Sequence, residues 1–173
     1  MNVLQEAIEK LNITMVIMCG IAFGTNRNKT ALGDIIVSRQ VWNYEPAKVK
    51  PEGLAYRGDK VNAASHLLQC FKMAAADYQD MPKIHFGLMA SGEKLVNDRE
   101  FREKLSVQEP ELVAGDMEAA GLASVCMSKK VDWIVVKALC DWGENKSDKF
   151  QEEAAWNAAE VVVLTVKGYL LPA

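Results

Sequence analysis

The chain has 173 residues, half of them apolar and a quarter charged, with a formal net charge of -3. That length suits one domain, residues 1 to 173, with a sizeable core, and the charge excludes a protein that grips nucleic acid or an anionic membrane through its overall electrostatics. The charge is uneven: from Gly24 to Lys60, seven basic residues stand against four acidic ones, so this stretch is +3 and the remainder is -6. A solvated loop face is the first reading of that stretch, and contact with phosphates is the second.

Cys19, Cys70, Cys126 and Cys140 form no CxxC pair and sit in apolar contexts, which reads as buried thiols in a reducing compartment. With His66 and His85 as the only histidines, both read as structural, and no metal and no cofactor is expected. The start "MNVLQEAIEKLN" lacks the basic and apolar regions of a signal peptide, and no apolar run reaches transmembrane length. A cytoplasmic protein with no membrane or nucleic-acid partner is expected.

In chain order, Val3, Leu4, Ala7, Ile8 and Leu11 mark a helix over residues 3–11. "ITMVIMCGIAFG" (13–24) reads as a buried strand closed by glycines. "GDIIVSRQVWNY" (33–44) follows as a strand bent near Arg39. Pro46 and Pro51 then predict a loop that continues into the turn "YRGDK". A helix is expected over 60–78, with Val61, Ala64, Leu67, Leu68, Phe71 and Ala75 on one stripe. "KIHFGLMASG" (83–92) is the next strand, and Asn97 with Glu100 predicts a capping box for a short helix containing Phe101 and Leu105. Residues 112–128 read as strand, turn and helix, and "VDWIVVKAL" (131–139) as a buried strand. Asp148 with Gln151 caps the last helix, expected to reach Leu170 with Ala154, Ala158, Val161, Thr165 and Tyr169 inward. Trp156 reads as core, whereas Trp142 is open to either a core or a pocket role.

Strands alternating with helices, and apolar on both faces, predict an α/β fold with a central sheet covered by helices in three layers. Ligands of such sheets bind at the carboxyl ends of strands. Here those ends carry "CGIAFG", "ASGEKLV" and "LCDWGE", and Asp116-Met117-Glu118 opens a helix after a short strand. Taken singly, Asp116 is a helix cap and Glu118 a first-turn acid favoured by the helix dipole. "GTNRNKT" lacks the GK[ST] ending of a P-loop, and there is no GxSxG, GxGxxG or HExxH.

The string "HFGLMASGEKLVND…LVAGDMEAAGLASVC…VDWIVVKALCDWGE…AAWNAAEVVV" resembles the nucleoside phosphorylase superfamily, and most closely its methylthioadenosine/S-adenosylhomocysteine nucleosidases and effector-fused relatives. The resemblance extends upstream through "LGDIIVS" and "VIMCGIAFG". It implies that Asp141 protonates purine N7 as a general acid, that Glu118 holds the ribose hydroxyls with Met117 against the sugar and Asp116 nearby, and that Ser91, Leu95 and Val96 flank the base. These roles are chemically sound, because a departing purine gathers negative charge that an acid neutralises, and a carboxylate accepts from two neighbouring hydroxyls.

Two departures from the family pattern bear on activity. Family members carry a segment ahead of "VIMCGIAFG" that supplies the first strands of the sheet and either a phosphate-binding loop or a water-activating glutamate. The expected fold lacks those first strands, and its exposed strand edge calls for cover by the N-terminal helix or by another copy in a homo-oligomer. Ile21 and Phe23 also replace small residues of the family's "GSAGG"-like turn, which disfavours phosphorolysis. The leading expectation is a purine nucleoside or nucleotide binder with incomplete catalytic machinery that sequesters or senses a nucleotide. Arg27, Lys29, Arg57, Lys146 or Lys149 would then meet phosphates. The alternatives are an active purine nucleosidase, with Glu93 or Glu144 activating water, and a subunit that completes a larger enzyme.

Overall fold

A computed structural model of the chain describes residues 2–51, 53–78, 82–144 and 148–171. The elements are α1 (Asn2–Leu11), β1 (Met15–Gly24), β2 (Ile35–Asn43), β3 (Ala47–Lys50), β4 (Gly53–Tyr56), β5 (Lys60–Asn62), α2 (Ser65–Asp77), β6 (Ile84–Ser91), α3 (Arg99–Gln108), β7 (Leu112–Asp116), α4 (Ala119–Lys129), β8 (Asp132–Asp141) and α5 (Gln151–Thr165). A short 3-10 turn, Asp148–Phe150, leads into α5, and a π-helical turn, Val166–Leu170, follows it. Among the described residues no helix is long and apolar enough to cross a membrane.

Trp133 to Cys140 of β8 are all buried, so this strand needs neighbours on both edges and cover on both faces. β1 lies parallel along one edge, from Met15 opposite Asp132 to Phe23 opposite Asp141. On the other edge β2 runs antiparallel, pairing Ile35 with Ala138 and Val37 with Val136. β2 continues parallel to β6, and β6 parallel to β7. β7 returns to β1 antiparallel at Phe23–Gly115 and Gly24–Ala114, so five strands close on themselves. The sheet is therefore a mixed α/β ring rather than an open one. Its strands form two opposed sets, and the carboxyl ends of β1 and β7 overlap only at their tips.

Along Met15 to Ala22 the second flank of β1 has no strand partner among the described residues. α1 packs chiefly against α4 instead of along this edge. Its Ile8 is buried, but Val3 and Leu11, the ends of the expected stripe, are exposed. α5 lies over β1 and β8. Ala154 and Ala158 allow the close approach, with Val161 and Thr165 also buried. Trp156 points away and is 73 % exposed, contrary to its expected core place, because the alanine face occupies the sheet side. Tyr169 is only half-buried, and its hydroxyl donates to Asp77 on α2.

Three local expectations change. The Pro46–Pro51 segment is a hairpin, β3 paired with β4, which brings Tyr56 edge-on to Trp42 at 5.6 Å. Residues 60–62 are strand and not helix, because β2 beyond its irregularity at Arg39 still has main-chain groups to satisfy, and β5 pairs there with Gln40 to Trp42. Helix α2 then buries Leu67, Phe71 and Ala74. The cap of α3 is Asp98 rather than Asn97: its carboxylate accepts from the Phe101 N–H at 2.6 Å. A second cluster of Trp42, Tyr44, Leu88, Leu105 and Leu112, with Tyr56 and Phe101 against it, seats α3 and the hairpin on the sheet. Burial there pushes the Tyr44 phenol up to about 12. The Asp98→Ala variant should lose about 1 kcal/mol of stability, read as a lower urea midpoint at unchanged slope.

Candidate active site

The tips of β1, β7 and β8 surround a cavity of about 360 Å³, within the range of small-molecule sites. Lys137 and Asp141 stand four residues apart on β8 and both line the cavity, and between them the pairing with β1 shifts register at Cys140, which also lines it. Asp141 closes the strand. Its Oδ1 accepts from the Gly143 N–H at 2.6 Å, a tight turn made possible by the positive φ of 64° at Gly143. The Cys140 thiol lies 3.3 Å from Asp141 Oδ2.

At the end of β7 the Asp116 carboxylate accepts from the Ala119 N–H at 3.2 Å, which caps the first turn of α4. The Ser91 hydroxyl bonds to the same carboxylate and accepts from the Ala120 N–H at 2.9 Å. Between the strand tips sits Lys137, 4 % exposed, with its Nζ 3.2 Å from Asp116 Oδ2 and 3.0 Å from Glu118 Oε2. Its register partner on β1 is Gly20, where a Cβ would stand 3.2 Å from that ammonium. A side chain at position 20 would crowd the lysine head.

Burial disfavours the Lys137 charge, but the two carboxylates more than offset it and hold the ammonium above its ordinary pKa. Burial pushes the Asp116 carboxyl up, and Lys137, Ser91 and the Ala119 N–H offset only part of that rise. The Glu118 side chain remains 59 % exposed to the cavity and solvent, so it is tethered at one oxygen and open at its other side.

Of the residues expected at a site, Asp141, Asp116, Met117 and Glu118 all line this cavity, as do Leu95, Val96, Ile21 and Phe23. Ser91 is fully buried beneath it and acts on the cavity through Asp116. Trp142 does not line it; its ring packs against Gly24 and lies beneath the Arg27 guanidinium at 5.3 Å. Arg27 pairs with Glu144, Lys29 is exposed on the β1–β2 loop, and Arg57 is exposed beside the β3–β4 hairpin. None of the three reaches the cavity. Lys149 stands over Phe150, and Lys146 lies outside the described residues. Glu93 and Glu144 are likewise absent from the lining. Lys137, Lys94, Cys140 and Gln151 line it without having been expected. Lys137 was detectable, since a lysine inside a run as apolar as "WIVVKALC" must find buried counter-charges.

The sequence pattern of the phosphorylase superfamily matches residues 2–167. The chain belongs to this superfamily. A 5'-methylthioadenosine/S-adenosylhomocysteine nucleosidase of Staphylococcus epidermidis is 30 % identical over 175 residues, an alignment covering 92 % of this chain and 72 % of that protein. A death domain-containing ATP nucleosidase of Amphimedon queenslandica is 28 % identical over 173 residues, covering 87 % of this chain. The matched region spans 32 % of that protein's length, and 61 % of a nucleosidase from Anoxybacillus flavithermus. Among solved structures, the superfamily fold recurs in the nucleosidase of Neisseria meningitidis in complex with methylthio-immucillin-A, at 24 % identity and a TM-score of 0.83, covering 94 % of this chain and 73 % of that one. Futalosine hydrolase of Helicobacter pylori superposes with a TM-score of 0.82 at 20 % identity, covering 95 % and 73 %. At these identities the structural likeness is one of fold.

Breaking the buried lysine cluster has a definite cost. Lys137→Met should destabilise the protein by roughly 3 kcal/mol, because Asp116 is left charged and buried, and adding Asp116→Asn should recover much of the loss. A carboxyl whose folded pKa lies above its ordinary 3.8 binds protons more readily folded than unfolded, so its contribution falls as pH rises through that window. The deficit of Lys137→Met relative to the unaltered protein should therefore shrink as the pH is lowered towards 4, measured by denaturant unfolding at several pH values.

Proposed function

We propose that the cavity binds a purine nucleoside or nucleotide and cleaves its N-glycosidic bond with water. The observation that carries this reading is the convergence of Asp141 with the Lys137-tethered Asp116 and Glu118 on one cavity with an apolar wall. Phe23 and Val96, both buried, and the more exposed Leu95 offer that wall to a planar base. Glu118, tethered by Lys137 and otherwise open, accepts hydrogen bonds from the sugar hydroxyls. The C1'–N9 bond breaks with its electron pair moving onto the purine, and Asp141 delivers a proton to N7. Water adds to C1' and gives up a proton to solvent, which the open side of the cavity at Glu118 admits. Free purine and a reducing-end sugar result.

The names of the relatives support an adenine-bearing substrate, since one is a methylthioadenosine/S-adenosylhomocysteine nucleosidase and another an ATP nucleosidase. For a nucleotide, Lys94 lines the cavity itself, whereas Arg27, Lys29 and Arg57 lie outside it. Four cysteines outside any disulfide accord with a cytoplasmic setting. The flank of β1 from Met15 to Ala22 favours a homo-oligomer that covers it; sedimentation should then give a multiple of the chain mass, and a monomer at micromolar concentration would refute it.

A second reading, binding without cleavage, draws on Ile21 and Phe23, which present no hydroxyl at the tip of β1. One assay separates the two. The protein is incubated with adenosine, methylthioadenosine, S-adenosylhomocysteine, AMP and ATP, and free adenine is quantified by chromatography. Cleavage should appear with at least one substrate and fall by about 10²- to 10⁴-fold in Asp141→Asn. Recovery of bound but intact ligand would establish the binder instead.

A further inference from the structure

The turn that carries Asp141 is gripped from outside the cavity. Arg102, on the buried side of α3, is 7 % exposed. Its Nη1 donates to the Trp142 carbonyl at 2.7 Å and lies 3.5 Å from Glu144 Oε1. Glu144 is also paired with Arg27 from the β1–β2 loop, and the same Arg27 covers the Trp142 ring. The residues on both sides of Gly143 are thus tied to two separate elements. Gly143 itself donates its N–H to Asp141 Oδ1 at 2.6 Å. A Cβ on Gly143 would stand 3.2 Å from Val96 and 3.4 Å from Phe23, so this turn rests directly on the cavity wall.

Both contacts come from the one nitrogen Nη1, with Nη2 3.6 Å from Glu103 Oε1, so a lysine ammonium at position 102 would reproduce only part of the grip. A guanidinium buried this deeply is costly unless its hydrogen bonds are specific, and here the short one goes to the residue directly after Asp141. We infer that Arg102 is the positioning residue for Asp141: by fixing the Trp142 carbonyl it holds the Asp141–Gly143 turn, and with it the carboxylate that faces the substrate. The inference rests on the hydrolytic reading only for its kinetic consequence. The geometric part stands on the turn alone.

The test compares the unaltered protein with Arg102→Met and Arg102→Lys, using the substrate cleaved fastest in the assay above, together with amide exchange by NMR. In Arg102→Met, kcat should fall by about 10²-fold with KM changed far less, as expected when a reacting group is misplaced by about 1 Å. Arg102→Lys should retain part of the rate, because an ammonium can still reach the carbonyl. The Gly143 N–H should exchange faster in Arg102→Met, while the Ile35 and Leu139 amides, in β2 and β8, keep their protection. Unchanged kcat with unchanged Gly143 exchange would overturn the assignment, and so would an equal loss of protection at all three amides. Should Arg102→Met not fold, Arg102→Lys carries both readouts. Should the unaltered protein cleave none of the substrates, the hydrolytic reading fails, and the Gly143 exchange comparison decides the clamp by itself.

Discussion

A lysine ammonium buried between two carboxylates is the constraint around which this site is built. Lys137 belongs to β8, Asp116 ends β7, and Glu118 opens α4, so one cation joins three elements that are distant in the chain. Burial taxes the charges of Lys137 and Asp116, and their mutual compensation, with help from the more exposed Glu118, makes the arrangement tolerable. The consequence is a pair of acids held in fixed relative positions. One is almost wholly buried in the cavity wall and tied to Ser91 and α4, and the other is left reaching into the cavity. Gly20 on β1 completes the arrangement by leaving room for the lysine head.

The ring closure of the sheet explains how those acids come to face Asp141. In an open parallel sheet all carboxyl ends lie along one rim. Here β1 and β8 run against β2, β6 and β7, and the two sets meet where the tips of β1 and β7 overlap by two residue pairs. Strand ends from opposite directions thereby surround one volume. Apolar side chains from the tip of β1 and the segment after β6 form its wall, and the ionisable groups come from β7, β8 and the start of α4, with Lys94 added from the segment after β6. That division between an apolar surface for a planar group and polar groups for its sugar suits a nucleoside.

The site also depends on parts that never touch the cavity. α3 sits on the aromatic cluster around Trp42 and Tyr44, and from there Arg102 reaches the loop after Asp141. The outer hydrophobic cluster and the loop geometry at the end of β8 are thus one mechanical unit. Trp142, which as a sequence neighbour of Asp141 was open to a role in the pocket, belongs to this outer support and not to the cavity lining.

Much of this was legible in the sequence. The strand runs at 13–24, 33–44, 83–92 and 131–139 appear close to their expected bounds because continuous apolar stretches bounded by glycine or turn residues leave few alternatives. The clustering of Asp116, Met117, Glu118 and Asp141 followed from their places at strand ends and from the resemblance to the superfamily. Residues 60–62 read as helix by periodicity, yet hydrogen bonds offered by β2 made them strand, a choice that exists only once β2 is in place. Asn97 and Asp98 were equally good caps by type, and Asp98 is the one whose carboxylate accepts from the Phe101 N–H in the folded chain. Trp156 was hydrophobic enough for the core, but the alanine face of α5 took that side. By itself, then, the sequence determined the elements, the α/β class and the residue types at the strand tips, since these depend on local pattern and burial. Only the tertiary structure decided that Lys137 binds Asp116 and Glu118 together, that Arg27, Lys29 and Arg57 stay outside, and that Arg102 grips the Asp141 turn, because each depends on distances between segments far apart in the chain.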